Sequence, residues 1–425
     1  MKGLYHPITA IGVCIAAYCC VAKVHEILTF LDFFEKPSVH HDEACVKVMS
    51  IGASEDQTQF NSNSIVMTEW RATGYHPGEE KPPGALYVSS GFKQGTTAKS
   101  AQEFVENNLK IQELPIFNYP ENIDFHPHGM YIRKEDSTLY VINHAYENGG
   151  ERIDVFGVGT ADDGDDDTEN DIPNRLDYQY SITSDWMNND MHGILNSLIV
   201  VEKNKFYVTQ YLPIPERHDG WLSFERNIDI ERFKTLVFGK RGTYVWYCEY
   251  DDESGSLDCR KVADQFIGAN GITHNEDYSK IFVGDYFTIN VFDRDASSNE
   301  LQNRTTIDVP NFVDNLKFDK VSGNVYGGTI NNLWYTVFVH PFPAESEQST
   351  SGIMELAFDP QTSSWQAREI ISSSKLNAIS NGLKMGEFYV MGAGGLGYPG
   401  LLVCPVIKEA GQSNTGGGKA YDSEL

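Results

Sequence analysis

The chain has 425 residues, enough for two or three average domains or for one large all-β domain. Against 33 Lys and Arg stand 60 Asp and Glu, a formal charge of −27; such a negative surface repels phosphates, which excludes nucleic acid as a partner, and suits divalent cations. Apolar residues at 40%, with 22 Tyr and 23 Phe, exclude a chain disordered throughout and lean toward β structure.

Residues 3–22 carry no formal charge and lie between Lys2 and Lys23. A helix of that length rises about 30 Å, the thickness of a bilayer core, so residues 1–24 are expected to form a signal-anchor or uncleaved signal helix. His6 and Pro7 weaken its start. A signal peptide cleaved near Cys20-Val21-Ala22 and a buried core helix are the alternatives. Residues 25–44 read as a linker or amphipathic segment, with Ile27, Leu28, Leu31 and Phe34 at helical spacing, able to lie on a membrane surface or to cover the fold. Together these features predict a chain of the secretory pathway, either membrane-anchored (ER lumen or cell surface) or secreted.

Beyond residue 45, short apolar-aromatic runs recur between turns: Ala85–Ser89, Thr138–Asn143, Ser197–Val201, Lys205–Thr209, Thr243–Tyr247, Lys280–Gly284, Val325–Gly328 and Glu387–Met391. Their alternation predicts strands, and a spacing of about 40 to 60 residues between similar units suits the blades of a propeller. Few long amphipathic helices are expected after residue 40, the best short candidates being Gln102–Leu109 and Leu222–Phe233. The acidic run Thr160–Asp171 fails as an EF-hand loop, because Thr168 stands where Gly is needed and Asn174 where the closing Glu belongs; it reads as a solvated loop. Residues 409–425 are Gly- and Ser-rich and predict a flexible tail after a propeller over 45–408.

Cys14, Cys19 and Cys20 fall in the hydrophobic segment, leaving Cys45, Cys248, Cys259 and Cys404. An even number in an exported domain predicts disulfides; buried free thiols are the alternative. Cys248 and Cys259 flank a polar turn at 251–256, which suits a cross-linked hairpin. A bridge between Cys45 and Cys404 would close a loop of several hundred residues and stabilise by about 5 kcal/mol. Asn303-Arg304-Thr305 is a glycosylation sequon, meaningful only in a lumenal chain.

No nucleophile elbow, phosphate loop or zincin motif is present. Carboxylates and amides instead cluster at strand starts: Ser54-Glu55-Asp56, Leu195-Asn196-Ser197, Gly268-Ala269-Asn270-Gly271-Ile272 and Val313-Asp314-Asn315. Such hard oxygens suit Ca²⁺, and the inner strands of a propeller would bring them to one channel. His126-Pro127-His128-Gly129 and Val141-Ile142-Asn143-His144 add imidazoles on consecutive strands; a neutral His beside a cation-bound ester can take a proton from water.

The segments 52–56, 125–129, 142–144, 269–272 and 312–315 resemble, in order and spacing, the paraoxonase/arylesterase family from about Cys45 to Cys404. The resemblance implies an all-β six-bladed propeller with two Ca²⁺ ions in its central tunnel, an uncleaved N-terminal hydrophobic helix, and hydrolysis of aryl esters and lactones. It implies Glu55, Asn196, Asn270, Asp314 and Asn315 as ligands of a catalytic Ca²⁺ that polarises the substrate carbonyl. Asp56 and the Met130 carbonyl would bind a structural Ca²⁺, and His128 and His144 would form the dyad that activates water. It further implies a Cys45–Cys404 disulfide and a glycan near Asn303.

The departures from the pattern lie in the tunnel. Ser197 stands where a second structural-site carboxylate is expected, which weakens that ion. Gln210-Tyr211-Leu212 replaces an Asn-Asp-His stretch, Ile330 a tunnel His and Gly268 an aromatic, so substrate choice is not inherited. The rivals are a non-enzymatic, membrane-anchored paraoxonase-like chaperone or channel accessory protein with a membrane-protein partner, and a propeller sugar-lactonase or phosphotriesterase with another metal.

Overall fold

The computed structural model describes residues 38–69, 83–145, 148–160, 171–189, 195–212, 242–332, 350–394 and 399–407, with residues 21, 22, 24, 25, 28 and 29 of the N-terminal segment. The expected anchor, most of the amphipathic segment, the acidic run, the expected helix at Leu222–Phe233 and the tail lie outside the described residues. Among the described residues no helix is long and apolar enough to cross a membrane.

The strands form six sheets, the blades of a six-bladed β-propeller. Every strand run singled out in the sequence lies within or at the edge of an observed strand. The innermost strands of blades 1 to 6 are Gln57–Gln59, Pro127–Arg133, Leu195–Glu202, Ala269–His274, Phe312–Asp319 and Ile379–Met385. Each packs against its neighbours, and the first returns to the last, so the six enclose a central tunnel. Five blades have four strands; blade 2 gains Ile116–Phe117 as a fifth, parallel edge.

Burial explains why the sequence reads as it does. Middle strands such as Thr138–Ala145 lie between two neighbouring blades and are buried at every position. Outer strands such as Ser364–Ser373 begin with alternating exposed and half-buried residues, because one face meets water. An apolar cluster fills each of the six gaps between blades; Val66, Leu86 and Val88 of blade 1, for example, meet Met130, Ile132 and Leu139 of blade 2.

The ring is closed by the two ends of the domain. Val46–Val48 adds to Leu401–Pro405 as the outermost strand of blade 6. The Cys45–Cys404 disulfide joins the same two strands across 359 residues of chain. Lys375 donates to the carbonyls of Asp42 (2.6 Å) and Cys45 (3.0 Å), and His40 bridges Ser372, so residues 38–45 are pinned to blades 5 and 6. The second expected bridge, Cys248–Cys259, links directly opposed residues of the outer hairpin of blade 3. The helix Ala101–Asn107 is capped by Ser100, whose hydroxyl accepts from the Glu103 N–H. Its Phe104 stacks on Phe388 at 4.3 Å and covers the seam between blades 1 and 6.

Candidate metal centre

The Ser54-Glu55-Asp56 segment precedes the inner strand of blade 1 and is buried. It is not itself part of a ladder, so its carbonyls need other donors. The Asn381 amide donates to the carbonyls of Ser54 (2.7 Å) and Glu55 (2.9 Å). The Ser380 hydroxyl and the Asn315 amide add two more bonds to the Glu55 carbonyl, at 2.8 and 2.9 Å. Blades 5 and 6 thus hold the Glu55 and Asp56 carboxylates in the tunnel.

The expected first-ion ligands come from four inner positions: Glu55 ahead of blade 1, Asn196 in blade 3, Asn270 in blade 4, and Asp314 and Asn315 in blade 5. All five are nearly or fully buried. Each amide that can be traced is anchored by its nitrogen. Asn315 donates to the Glu55 carbonyl and Asn270 to Asp314. Their oxygens therefore face the other way, and Oδ1 of Asn196, Asn270, Asp314 and Asn315 has no hydrogen-bond partner. An unsatisfied buried acceptor costs about 1–3 kcal/mol. Four of them on neighbouring strands, one a carboxylate, fit a hard divalent cation. Among the described residues no group of three or more His, Cys, Asp or Glu is arranged as a metal site, which separates this amide-rich set from a zinc-type centre.

Burial first, and then the nearby Asp56, push the Asp314 carboxyl up to about 7. A cation among these oxygens reverses that shift.

Two glycines allow the close approach. A Cβ on Gly129 would collide with the Asn196 carbonyl, and one on Gly271 would lie 2.5 Å from the Leu316 nitrogen and 2.6 Å from Asn315 Cα. Only Gly lets the inner strands of blades 2 and 3, and of blades 4 and 5, come together behind the ligands.

The rings of His128 and His144 lie with centroids 4.8 Å apart. His128 Nδ1 lies 3.1 Å from the Asn196 carbonyl, which can only accept, so Nδ1 carries the proton and Nε2 the lone pair. That Nε2 faces Glu55 Oε1 at 3.5 Å. Burial, followed by the neighbouring His144, lowers His128 to about 3 and keeps the ring neutral. His144 Nδ1 lies 2.8 Å from Glu151 Oε2, and Glu151 Oε1 accepts the Leu195 N–H at 2.9 Å.

Asp56, beside this set, has partners of its own. Its Oδ2 accepts the Met130 N–H at 2.9 Å, and its two oxygens lie 2.8 and 3.0 Å from Lys317 Nζ. Ser197 is fully buried on the inner strand of blade 3, and its Oγ has no partner. Asn303 lies exposed on the outermost strand of blade 4, where its amide donates to Asp293 at 2.9 Å.

Sequence reasoning missed Glu151 and Lys317. Glu151 was readable by strand geometry, since it sits directly opposite His144 across a hairpin; Lys317, two residues after Asn315, carried no such signal. The departures also take shape. Gly268 makes room for Tyr286 and Tyr211, whose rings stack at 6.3 Å, and Tyr286 packs edge-on against Phe312 at the start of the blade 5 inner strand.

The family model for arylesterase matches residues 79–363, two thirds of the chain. The chain belongs to the arylesterase family. It is 22% identical over 298 residues to serum paraoxonase/lactonase 3 of Oryctolagus cuniculus, covering 66% of this chain and 72% of that protein. It is 25% identical over 263 residues to serum paraoxonase/arylesterase 2 of Gallus gallus, covering 58% and 63%. Among solved structures, a luciferin-regenerating enzyme matches at 9% identity with a TM-score of 0.45, covering 85% of this chain and 95% of that one. The PQQ domain of pyranose dehydrogenase from Coprinopsis cinerea matches at 10% identity with a TM-score of 0.48, covering 88% and 98%.

Proposed function

We propose that this arylesterase-family chain is a calcium-dependent hydrolase of carboxylic esters, acting on aryl esters and lactones. The observation that carries the proposal is the set of four buried, unpartnered oxygens of Asn196, Asn270, Asp314 and Asn315 beside Glu55. Calcium bound there would supply a Lewis acid for charge developing on an ester carbonyl oxygen.

The chain's own groups handle the proton. His128 holds its Nδ1 proton against the Asn196 carbonyl and offers Nε2 to the attacking water. Burial and His144 make the free ring a weak base, so the transfer leans on the negative charge of Glu55, whose Oε1 lies 3.5 Å from that nitrogen, to favour the imidazolium. Glu151 orients the His144 ring through Nδ1, and His144, packed against His128 with ring centroids 4.8 Å apart, helps to orient the base. The Tyr211 and Tyr286 rings form an aromatic wall that favours esters with apolar groups.

The two disulfides support a secretory-pathway chain, and Asn303 is accessible to glycosylation there. The reading divides the chain into an anchor (1–24), a linker (25–44), the propeller (45–408) and a tail (409–425).

The test is hydrolysis of phenyl acetate and of a lactone panel by the purified chain, with and without EDTA. Asp314→Ala is expected to abolish activity and calcium binding together. Full activity in that variant or in EDTA overturns the mechanism. A wild-type chain that binds calcium and hydrolyses no ester supports the accessory-protein alternative instead.

A further inference from the structure

We propose that the Lys317 ammonium is the permanent counter-ion of Asp56, so that the tunnel takes one calcium ion and not two. This inference rests on the calcium reading of the first site and concerns the second.

The Asp56 carboxylate is fully buried, which is tolerated only with full pairing. Lys317 Nζ lies 2.8 Å from one of its oxygens and 3.0 Å from the other, in the position a bidentate cation would take. The Met130 N–H donates to Oδ2 at 2.9 Å, while Oδ1 accepts no hydrogen bond and meets only the ammonium, as an ion pair. Lys317 projects from the blade 5 inner strand on the face that carries Asn315, and its side chain is only 16% exposed, so the ammonium is held in place and not swept by solvent. An ammonium and a Ca²⁺ cannot share these oxygens: at such separations their like charges repel strongly in a medium of low dielectric constant.

Ser197 agrees with this arrangement. Its Cα abuts Gly129, next to Met130, so a carboxylate at 197 would reach the neighbourhood of Asp56. Ser197 offers a hydroxyl in its place, and a lone carboxylate with neutral donors holds Ca²⁺ weakly. At the second site the charge is already balanced, one buried carboxylate against one ammonium.

The experiment is calcium stoichiometry on the purified full-length chain, by equilibrium dialysis with radioactive calcium after chelator treatment, together with melting curves. Wild type is expected to hold one equivalent up to about millimolar calcium, the range of the weakest protein sites. The Lys317→Gln, Ser197→Asp double variant is expected to hold two, and its melting temperature should rise further with calcium than that of wild type. Lys317→Arg keeps the pair and should stay at one, which guards against misfolding of the double variant. Two equivalents in wild type, the second lost in Asp56→Asn, overturn the inference alone. A double variant that folds and gains no calcium also overturns it. No calcium in wild type overturns the first-site reading on which it rests.

Discussion

Gly271→Ala tests the geometry of the tunnel more sharply than deletion of a ligand does. The added Cβ would lie 2.5 Å from the Leu316 nitrogen, 2.6 Å from Asn315 Cα and 2.6 Å from the Asp314 carbonyl oxygen. Ordinary contact begins at 3.4 Å, so the nearest contact is short by about 0.9 Å. All three neighbours are backbone atoms and none can swing aside. The inner strands of blades 4 and 5 must separate, at an overpacking cost of about 1–3 kcal/mol. Asn270 is adjacent to the substituted residue, and Asp314 and Asn315 are the residues pushed, so the same movement draws three oxygen donors apart. Ca–O distances span only about 2.3–2.6 Å, so binding has to restore the strain. Calcium affinity should therefore fall roughly 5- to 150-fold, the same 1–3 kcal/mol expressed as an equilibrium constant. Isothermal titration gives the affinity, and melting in EDTA gives the strain separately. Gly323→Ala is the control. It lies in the exposed turn that joins the innermost strand of blade 5 to the next, at φ +75° with nothing within 4 Å, so it should cost backbone strain only and leave calcium affinity unchanged. Wild-type affinity in Gly271→Ala would show that the donors around Asn270 and Asp314 do not bind one ion.

Three further predictions address the histidine pair, pH and the closure. Glu151→Gln keeps an amide oxygen for the Leu195 N–H and removes the charge facing His144. It should lower kcat for phenyl acetate about tenfold or more with KM and melting temperature little changed, and an unaltered kcat would remove Glu151 from the mechanism. Burial raises Glu369 to about 7, against the donors Asn311 and Asn331. A raised carboxyl contributes stability that is fully present below the unfolded value near 4.5 and is lost as pH rises through 7, by up to about 3 kcal/mol. Glu369→Gln should flatten that part of the melting profile between pH 5 and 8, and an identical slope in the variant contradicts the assignment. Opening the Cys45–Cys404 bridge, which spans 359 residues, should cost about 3 kcal/mol more than opening Cys248–Cys259, which spans 11; equal losses in denaturant titrations contradict the loop-entropy account.

How far the sequence carries depends on what each residue has to report. Strand runs such as Thr138–Asn143 were legible because a middle strand squeezed between two blades must be apolar throughout, and local composition records that. The blade 3 disulfide was legible because Cys248 and Cys259 bracket their own turn. The segments expected to bind calcium stood out as a family pattern, amides beside carboxylates at several strand starts. The inner edge of blade 1 was harder to read: Ser54-Glu55-Asp56 adopts no regular structure and is held by Asn315, Ser380 and Asn381, more than 250 residues away. No local pattern can encode such a tie.

The same distance hid the role of Lys317. In sequence it is one basic residue two places after an expected ligand, indistinguishable from a solvent-facing lysine. Its meaning appears only when blade 1 and blade 5 meet across the tunnel and the ammonium lands on both oxygens of Asp56. Ser197 and Lys317, unrelated in the sequence, then bear on one carboxylate: the first is uncharged and the second supplies a fixed positive charge. Either alone would leave the tunnel unbalanced, since Ser197 without Lys317 leaves Asp56 short of a cation, and Lys317 beside a second carboxylate would still leave one negative charge exposed to the interior. Because the ammonium is covalently attached, the Asp56 end of the tunnel should keep its shape in a chelator. Loss of calcium should therefore loosen Glu55, Asn270 and Asp314 while the Met130–Asp56–Lys317 contact persists, a contrast that amide exchange at Met130 against Asn270 measures directly.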